Sequence, residues 1–180
     1  MLILRVVNAS LLVFLFGFLF QYLLATIETE KLFVFAYQKN TLQDDLSNTF
    51  VNDSKYLKGY IIIDHYKLFV DIALTDKQKQ NGLSIKNSMN ENEGMLFFLD
   101  DPRKASFWMK NMHFPIDIIW LDENLTIVHI EKALPPCTSP FYCPSYTPLK
   151  ESLYVLETIS GFSNKHNIKI GDKIDFHLIG

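Results

Sequence analysis

Between Val6 and Ile27 the chain reads "VVNASLLVFLFGFLFQYLLATI", without one charged side chain. A stretch of this kind has few ways to fold. About 20 predominantly apolar residues match the thickness of a bilayer when helical. A segment apolar all round has no polar face to turn toward water, so it is not the helix of a small soluble domain. Arg5 precedes it, and Glu28 and Glu30 follow. By the positive-inside rule the N-terminus stays in the cytoplasm and the rest of the chain is delivered outside. A cleaved signal segment is the competing reading, but the apolar run exceeds a usual h-region and no A-x-A-like site follows closely. The expected plan is a cytoplasmic tip over residues 1–5, a single-pass transmembrane anchor over residues 6–27, a polar juxtamembrane stalk over residues 28–58 and an extracytoplasmic domain over residues 59–180.

That last segment is patterned for β-structure. "YIIID" (Tyr60–Asp64), "KLFVDIAL" (Lys67–Leu74), "GMLFFL" (Gly94–Leu99), "SFWMK" (Ser106–Lys110), "PIDIIWL" (Pro115–Leu121), "TIVHIEK" (Thr126–Lys132), "SLYVLETI" (Ser152–Ile159) and "KIDFHLI" (Lys173–Ile179) read as strands. "DDPRK" reads as a turn, and "DENL" as the turn of a hairpin in which Asn124 accepts positive φ. Thr75 and Gln78 have the spacing of a capping box, so "TDKQKQNG" reads as a short helix that Asn81 and Gly82 terminate. "GFSNKHNI" suggests a second helical turn. Many short strands with turn signals between them predict a mainly β fold, a compact sandwich or distorted barrel with one or two short helices.

The densest stretch is "SFWMKNMHFPIDIIWLD", Ser106 to Asp122. Strand alternation places Ile116, Ile118 and Trp120 on one face and Asp117, Ile119 and Leu121 on the other. Both faces are apolar apart from Asp117, so the strand is central and its carboxylate needs hydrogen-bond partners. The preferred reading is structural: Asp117 accepts backbone N–H groups, the nearest being those of the Asn111–Pro115 turn, or the Trp108 indole. The functional alternative is a pocket acid or ligand anchor. In "FWMKN", Phe107 and Met109 share a face, and Trp108 and Lys110 share the other. The bland account buries Met109 and lets Lys110 snorkel. The sharper one lines a ligand cleft with Trp108, Lys110 and Asn111.

Cys137 and Cys143 are the two cysteines, in "PPCTSPFYCPSY". Outside the cell a disulfide is the expected state. Catalytic redox pairs are usually Cys-X-X-Cys at a helix start, a closer spacing than this. The bridge would splay Phe141, Tyr142 and Tyr146 on a stiff loop, which makes Tyr142 and Tyr146 ligand-binding candidates. The five histidines form no metal-ligand spacing, and no nucleotide-binding or nucleophile-elbow motif occurs. No metal or cofactor is therefore expected. A net charge of −3 leaves no basic footprint for nucleic acid.

"VDIALTDKQKQNGLS" and "EGMLFFLDDPRKASFWMKNMHFPIDIIWLDENLTIVHIEKA", followed by "SLYVLETISGF" and "IKIGDKIDF", make the chain resemble domain of unknown function family 192 over about Phe69 to Phe176. The block "FWMKNMHFPIDIIWLD" carries most of the specificity. The matching residues are Gly82, Leu83, Gly94, Met95, Leu96, Phe97, Trp108, Met109, Lys110, Asn111, Pro115, Asp117 and Ile118. Many relatives carry an Arg shortly after the Gly-Leu pair; Ser84 to Lys86 supplies none. The resemblance implies a compact, mostly β domain with a short helix after its early strands, often exported, and it implies no activity.

The leading functional expectation is thus a non-catalytic extracytoplasmic module, membrane-bound through residues 6–27, for a glycan, a small polar ligand or an envelope protein. The alternatives are a hydrolase-like enzyme with Asp117 as its acid or base, and a structural subunit of a membrane complex.

Overall fold

The structure is a computed structural model, and it describes residues 56–179 except 138, 140 and 141. The expected tip, anchor and most of the stalk lie outside the described residues. Among the described residues, no helix is long and apolar enough to cross a membrane.

The strands are β1 (Leu57–Ile63), β2 (Tyr66–Ala73), β3 (Glu93–Arg103), β4 (Phe107–Trp108), β5 (Ile116–Leu121), β6 (Ile127–Leu134), β7 (Ser145–Tyr146), β8 (Ser152–Ile159) and β9 (Asp175–Leu178). Seven of them form one sheet in the order β6-β5-β8-β3-β2-β1-β9, and β4 pairs with β7 apart from it. The expected second layer of a sandwich is therefore absent among the described residues. Instead the chain entering β6 meets the chain entering β9. Thr126 bridges Lys173, and Ile127 N donates to the Asp172 carbonyl (2.9 Å) while Ile174 N donates to that of Leu125 (3.1 Å). The sheet is curled until its two edge strands are tied at one end.

All neighbouring pairs in the main sheet are antiparallel except β2 with β3. A parallel pair needs a crossover, and the Asp76–Asn81 helix with the 3-10 turn Gly82–Ile85 supplies it. Thr75 and Gln78 form the expected capping box, and Gly82 ends the helix at φ 51°.

Three local expectations are corrected. "DDPRK" is not a turn between strands: Asp100–Arg103 belong to β3, whose pairing with β8 skips between Phe98 and Arg103. That irregularity is what admits Pro102, which has no N–H to give a ladder. "SFWMK" shrinks to the two residues of β4. In the β5–β6 hairpin the left-handed residue is Leu125 (φ 58°), not Asn124. Asp122 Oδ1 already caps the turn, accepting the N–H groups of Asn124 and Thr126 at 2.9 Å each. Leu125 packs on the core beneath.

Alternation in the central strands builds a core on each face of the sheet. Ile119, Leu121, Leu96 and Leu156 join one cluster with Ile61, Leu68 and Phe162. Ile116, Ile118, Trp120, Met95, Phe97 and Val155 join the other with Leu83 and Met109. The Trp120 indole is wholly buried, and its Nε1 donates to the Ala105 carbonyl at 2.9 Å.

Asp117 is fully buried on the first of these faces. Its Oδ1 accepts from Ala133 N (2.8 Å) and Gly161 N (3.1 Å), and its Oδ2 from Ser163 N (2.9 Å). None of these donors comes from the Asn111–Pro115 turn or from Trp108. They come from chain segments that tertiary structure brings in. Ile116 faces Leu134 while Ile118 faces Glu131, so Lys132 and Ala133 both oppose Asp117. This is a β-bulge, and Ala133 sits in it at φ 53°. Gly161 and Ser163 open the Phe162–Lys165 helix, where N–H groups lack intrahelical partners. Each buried donor left unpaired costs about 1–3 kcal/mol. We therefore expect Asp117→Ala to lose about 3 kcal/mol or more in denaturant unfolding and Asp117→Asn to lose less, since one acceptor oxygen remains. An Ala variant as stable as the parent would show that the bulge and helix start do not need the carboxylate.

Candidate functional site

A cleft of about 280 Å³ opens on the opposite face of the sheet. Its floor is Glu157 of β8. Register decides this placement. Asp117 pairs with Thr158, whereas Ile118 and Met95 pair with Glu157 from either side. Directly opposed residues share a face, so Glu157 falls in with the Trp120 cluster and Asp117 with the other. Two acids set in apolar strands thus end on opposite sides of one sheet.

Their surroundings differ as much as their positions. Glu157 is 4% exposed. The Leu83 backbone N–H is the group that meets its carboxyl, and Oε2 has no hydrogen-bond partner. Burial pushes this carboxyl up to about 8, with the Leu83 N–H pulling the other way. A carboxylic acid in that range holds its proton at neutral pH and can donate a hydrogen bond. Gly82 lies beside it at φ 51°, a backbone conformation that would strain any other residue.

The walls come from two further segments. Phe107 packs edge-on against both Phe97 and Trp120. Met109 is buried, and its carbonyl accepts from Cys137 N at 3.0 Å and Met112 N at 3.4 Å. With Met109 held inward, Trp108 and Lys110 stand on the outer side. Trp108 is 52% exposed, an unusual state for an indole, and Lys110 Nζ lies 5.1 Å from its ring centroid. Both line the cleft, as do Lys79 and Arg103. Those last two are paired outside it, Lys79 with Asp100 at 3.0 Å and Arg103 with Asp101 at 3.1 Å.

The remaining sequence candidates lie elsewhere. Asn111 adopts φ 60° in the turn after Lys110 and is not in the lining. Tyr146 pairs with Phe107 across β4–β7, and Tyr142 stands 72% exposed on the loop before it; neither lines the cleft. Asp117 does not reach it either, because its oxygens are engaged by backbone on the other face. Cys137 and Cys143 are free thiols here, not the expected disulfide. Hydrogen bonds close the loop instead: Cys137 Sγ reaches the Tyr142 carbonyl at 3.3 Å, and Tyr142 N donates to Ser139 Oγ at 3.1 Å. Burial raises the Cys143 thiol above its ordinary value, with Cys137 beside it adding to the effect. Among the described residues, no group of three or more His, Cys, Asp or Glu is placed to hold a metal ion.

Sequence reasoning passed over Glu157. The signal was the one that singled out Asp117, a lone acid inside an apolar strand, here "SLYVLETI".

A family model, DUF192 (uncharacterized ACR), matches residues 61–176. The chain belongs to this family. The match takes in β2 to β8 and with them every segment that lines the cleft. A UPF0127 protein of Thermococcus sibiricus is 31% identical over 111 residues, which are 61% of this chain and 66% of the relative, so the chain spans just under two thirds of that relative's length. Among solved structures, the fold resembles a Sinorhizobium meliloti protein provisionally described as a transcription regulator, with TM-score 0.60, 25% identity, and coverage of 69% of this chain and 98% of that one. It also resembles a protein of unknown function from Novosphingobium aromaticivorans, with TM-score 0.59, 24% identity, and coverage of 70% and 89%.

The Glu157 environment carries a pH signature. Its folded pKa is raised above the unfolded value, so its contribution to stability is fully present below about 4.5 and is lost as pH rises through about 8. Glu157→Gln cannot ionise. We expect the melting temperature of the parent to fall between pH 5 and 8 more steeply than that of the variant, with the variant the more stable at pH 8. Parallel profiles would mean that Glu157 is not desolvated.

Proposed function

We propose that this DUF192 domain is a non-catalytic ligand-binding module, held on the outer face of the cell membrane by residues 6–27. The observation that carries the binding half is a cleft walled by a half-exposed Trp108, with the basic side chains of Lys79, Arg103 and Lys110 in its lining. A concave site with aromatic walls and a few converging polar groups is the ordinary form of a small-molecule site. This favours a glycan unit or small polar ligand over an envelope protein. The membrane half rests on the charge-free stretch and its flanks, Arg5 before and Glu28 and Glu30 after.

A hydrolytic reading moves from Asp117 to Glu157, whose raised pKa would suit a general acid. It lacks a partner among the described residues. No second carboxylate lines the cleft, and the two serines that do are engaged, Ser84 Oγ with the Asn81 carbonyl and Ser106 Oγ with Thr147 Oγ1. Transcriptional regulation, the description given to the Sinorhizobium relative, gains nothing from a net charge of −3.

Screening the full-length protein against glycans and small polar envelope metabolites tests the binding half. Trp108→Ala should weaken any ligand found by tenfold or more while leaving thermal stability near the parent's, because half of this side chain is already in water. Silence against the whole panel would end the reading. For the tether, protease added to intact cells should release fragments from beyond residue 28; full protection of the β domain would reverse the orientation.

A further inference from the structure

We infer that Asn124 is the attachment site of an N-linked glycan, carried at the tip of the β5–β6 hairpin. This goes beyond the binding reading above and rests only on its outer-face placement of the domain.

Between Tyr56 and Ile179 the chain holds one Asn-x-Ser/Thr triplet in which x is not proline, Asn124-Leu125-Thr126. Such a triplet is the acceptor of N-glycosylation and belongs to surface loops of exported proteins. It also arises by chance. What separates the two cases is whether the fold gives these side chains another use.

Asn has two structural uses in a tight turn. It tolerates a left-handed backbone, and its side chain caps nearby N–H groups. Here neighbours have taken both. Leu125 is the left-handed residue, at φ 58°. Asp122 Oδ1 is the cap, accepting from Asn124 N and Thr126 N at 2.9 Å each. Backbone closes the rest of the turn: Asp122 N donates to the Thr126 carbonyl (2.9 Å) and Leu125 N to that of Asp122 (3.1 Å). Leu125 fastens the tip from beneath by packing on the core. Asn124 itself is exposed. Among the described residues, neither its carboxamide nor the Thr126 hydroxyl has a hydrogen-bond partner. The two side-chain groups that the triplet requires are thus the two that the turn leaves unused. A sugar on Asn124 Nδ2 breaks no contact of the folded domain, and a bulky, solubilising group of this kind suits a hairpin tip.

The reaction is a group transfer from an oligosaccharide carried on a lipid diphosphate, performed by a membrane oligosaccharyltransferase. Asn124 Nδ2 bonds to the anomeric carbon of the sugar. The bond from that carbon to the diphosphate oxygen breaks, Nδ2 gives up one proton, and the lipid diphosphate leaves.

The test is mass spectrometry of the full-length protein purified from its native cells. Peptides that contain Asn124 should carry a hexose- or N-acetylhexosamine-containing mass, located on that residue by electron-transfer fragmentation. Asn124→Gln made in the same cells should lose this mass and keep the parent's melting temperature, because the carboxamide holds nothing in the turn. Thr126→Val keeps the β-branched shape and should lose the glycan as well, whereas Thr126→Ser should retain it. An Asn124 peptide recovered wholly unmodified would overturn the inference. Protease added to the same intact cells then shows which part failed: release of fragments of the β domain leaves the placement standing and removes the glycan alone, while full protection removes both. A glycan mass that persists unchanged in Asn124→Gln would put the attachment elsewhere and overturn the inference too.

Discussion

Three backbone N–H groups from two distant segments converge on the carboxylate of Asp117, in a position with no access to water. Much of the fold answers to that requirement. A buried carboxylate without partners costs several kcal/mol or more. The chain therefore takes the β-bulge at Lys132–Ala133 on one side and the start of the Phe162–Lys165 helix on the other. Together these donors hold β6 and the end of β8 against β5. The β5–β8 register, in which Asp117 faces Thr158, is the same register that sets Glu157 on the far face, across from Ile118. A slip of one residue would exchange the faces of the two strands' side chains.

Asp117 and Glu157 are alike in sequence and opposite in physical state. Each is the lone acid of an apolar strand. Asp117 meets donors that saturate it, and it is walled in by the rest of the core. Glu157 meets one backbone donor, at Leu83, and its Oε2 is buried beneath the cleft without a partner. The first arrangement is what a structural tie needs, because a satisfied carboxylate has nothing left to offer a ligand. The second leaves a buried carboxyl oxygen unpaired, at a cost in stability that rises with pH. Perturbed carboxyls of this kind cluster at functional sites.

Much of the architecture was legible from local chemistry. The Thr75–Gln78 capping box, the helix stop at Gly82, the alternating faces of Ile116 to Leu121 and the inward Met109 with outward Trp108 and Lys110 all follow from neighbours within a few residues. Family membership followed from residue identities in the "FWMKNMHFPIDIIWLD" block. Where the reading failed, the deciding partner was remote. The donors to Asp117 lie 16, 44 and 46 residues away. Pro102 within β3 depends on a skip in pairing with β8. The loop of Cys137 and Cys143 is closed by hydrogen bonds to Met109 and Tyr142 with the sulfurs left as thiols.

By itself, then, the sequence determined the β-rich class, the family and the two faces of each strand, because hydrophobic period and turn chemistry are local properties. It also marked Asp117 as an acid that an apolar strand must accommodate; Glu157 carries the same signal and was passed over. Only the tertiary structure decided which of the two acids is saturated by donors and which keeps an unpaired oxygen. That depends on strand register and on what packs over each face. Lys79, Arg103, Trp108 and Lys110 reach one cleft from three separate segments, and no pattern within any one segment records that they meet.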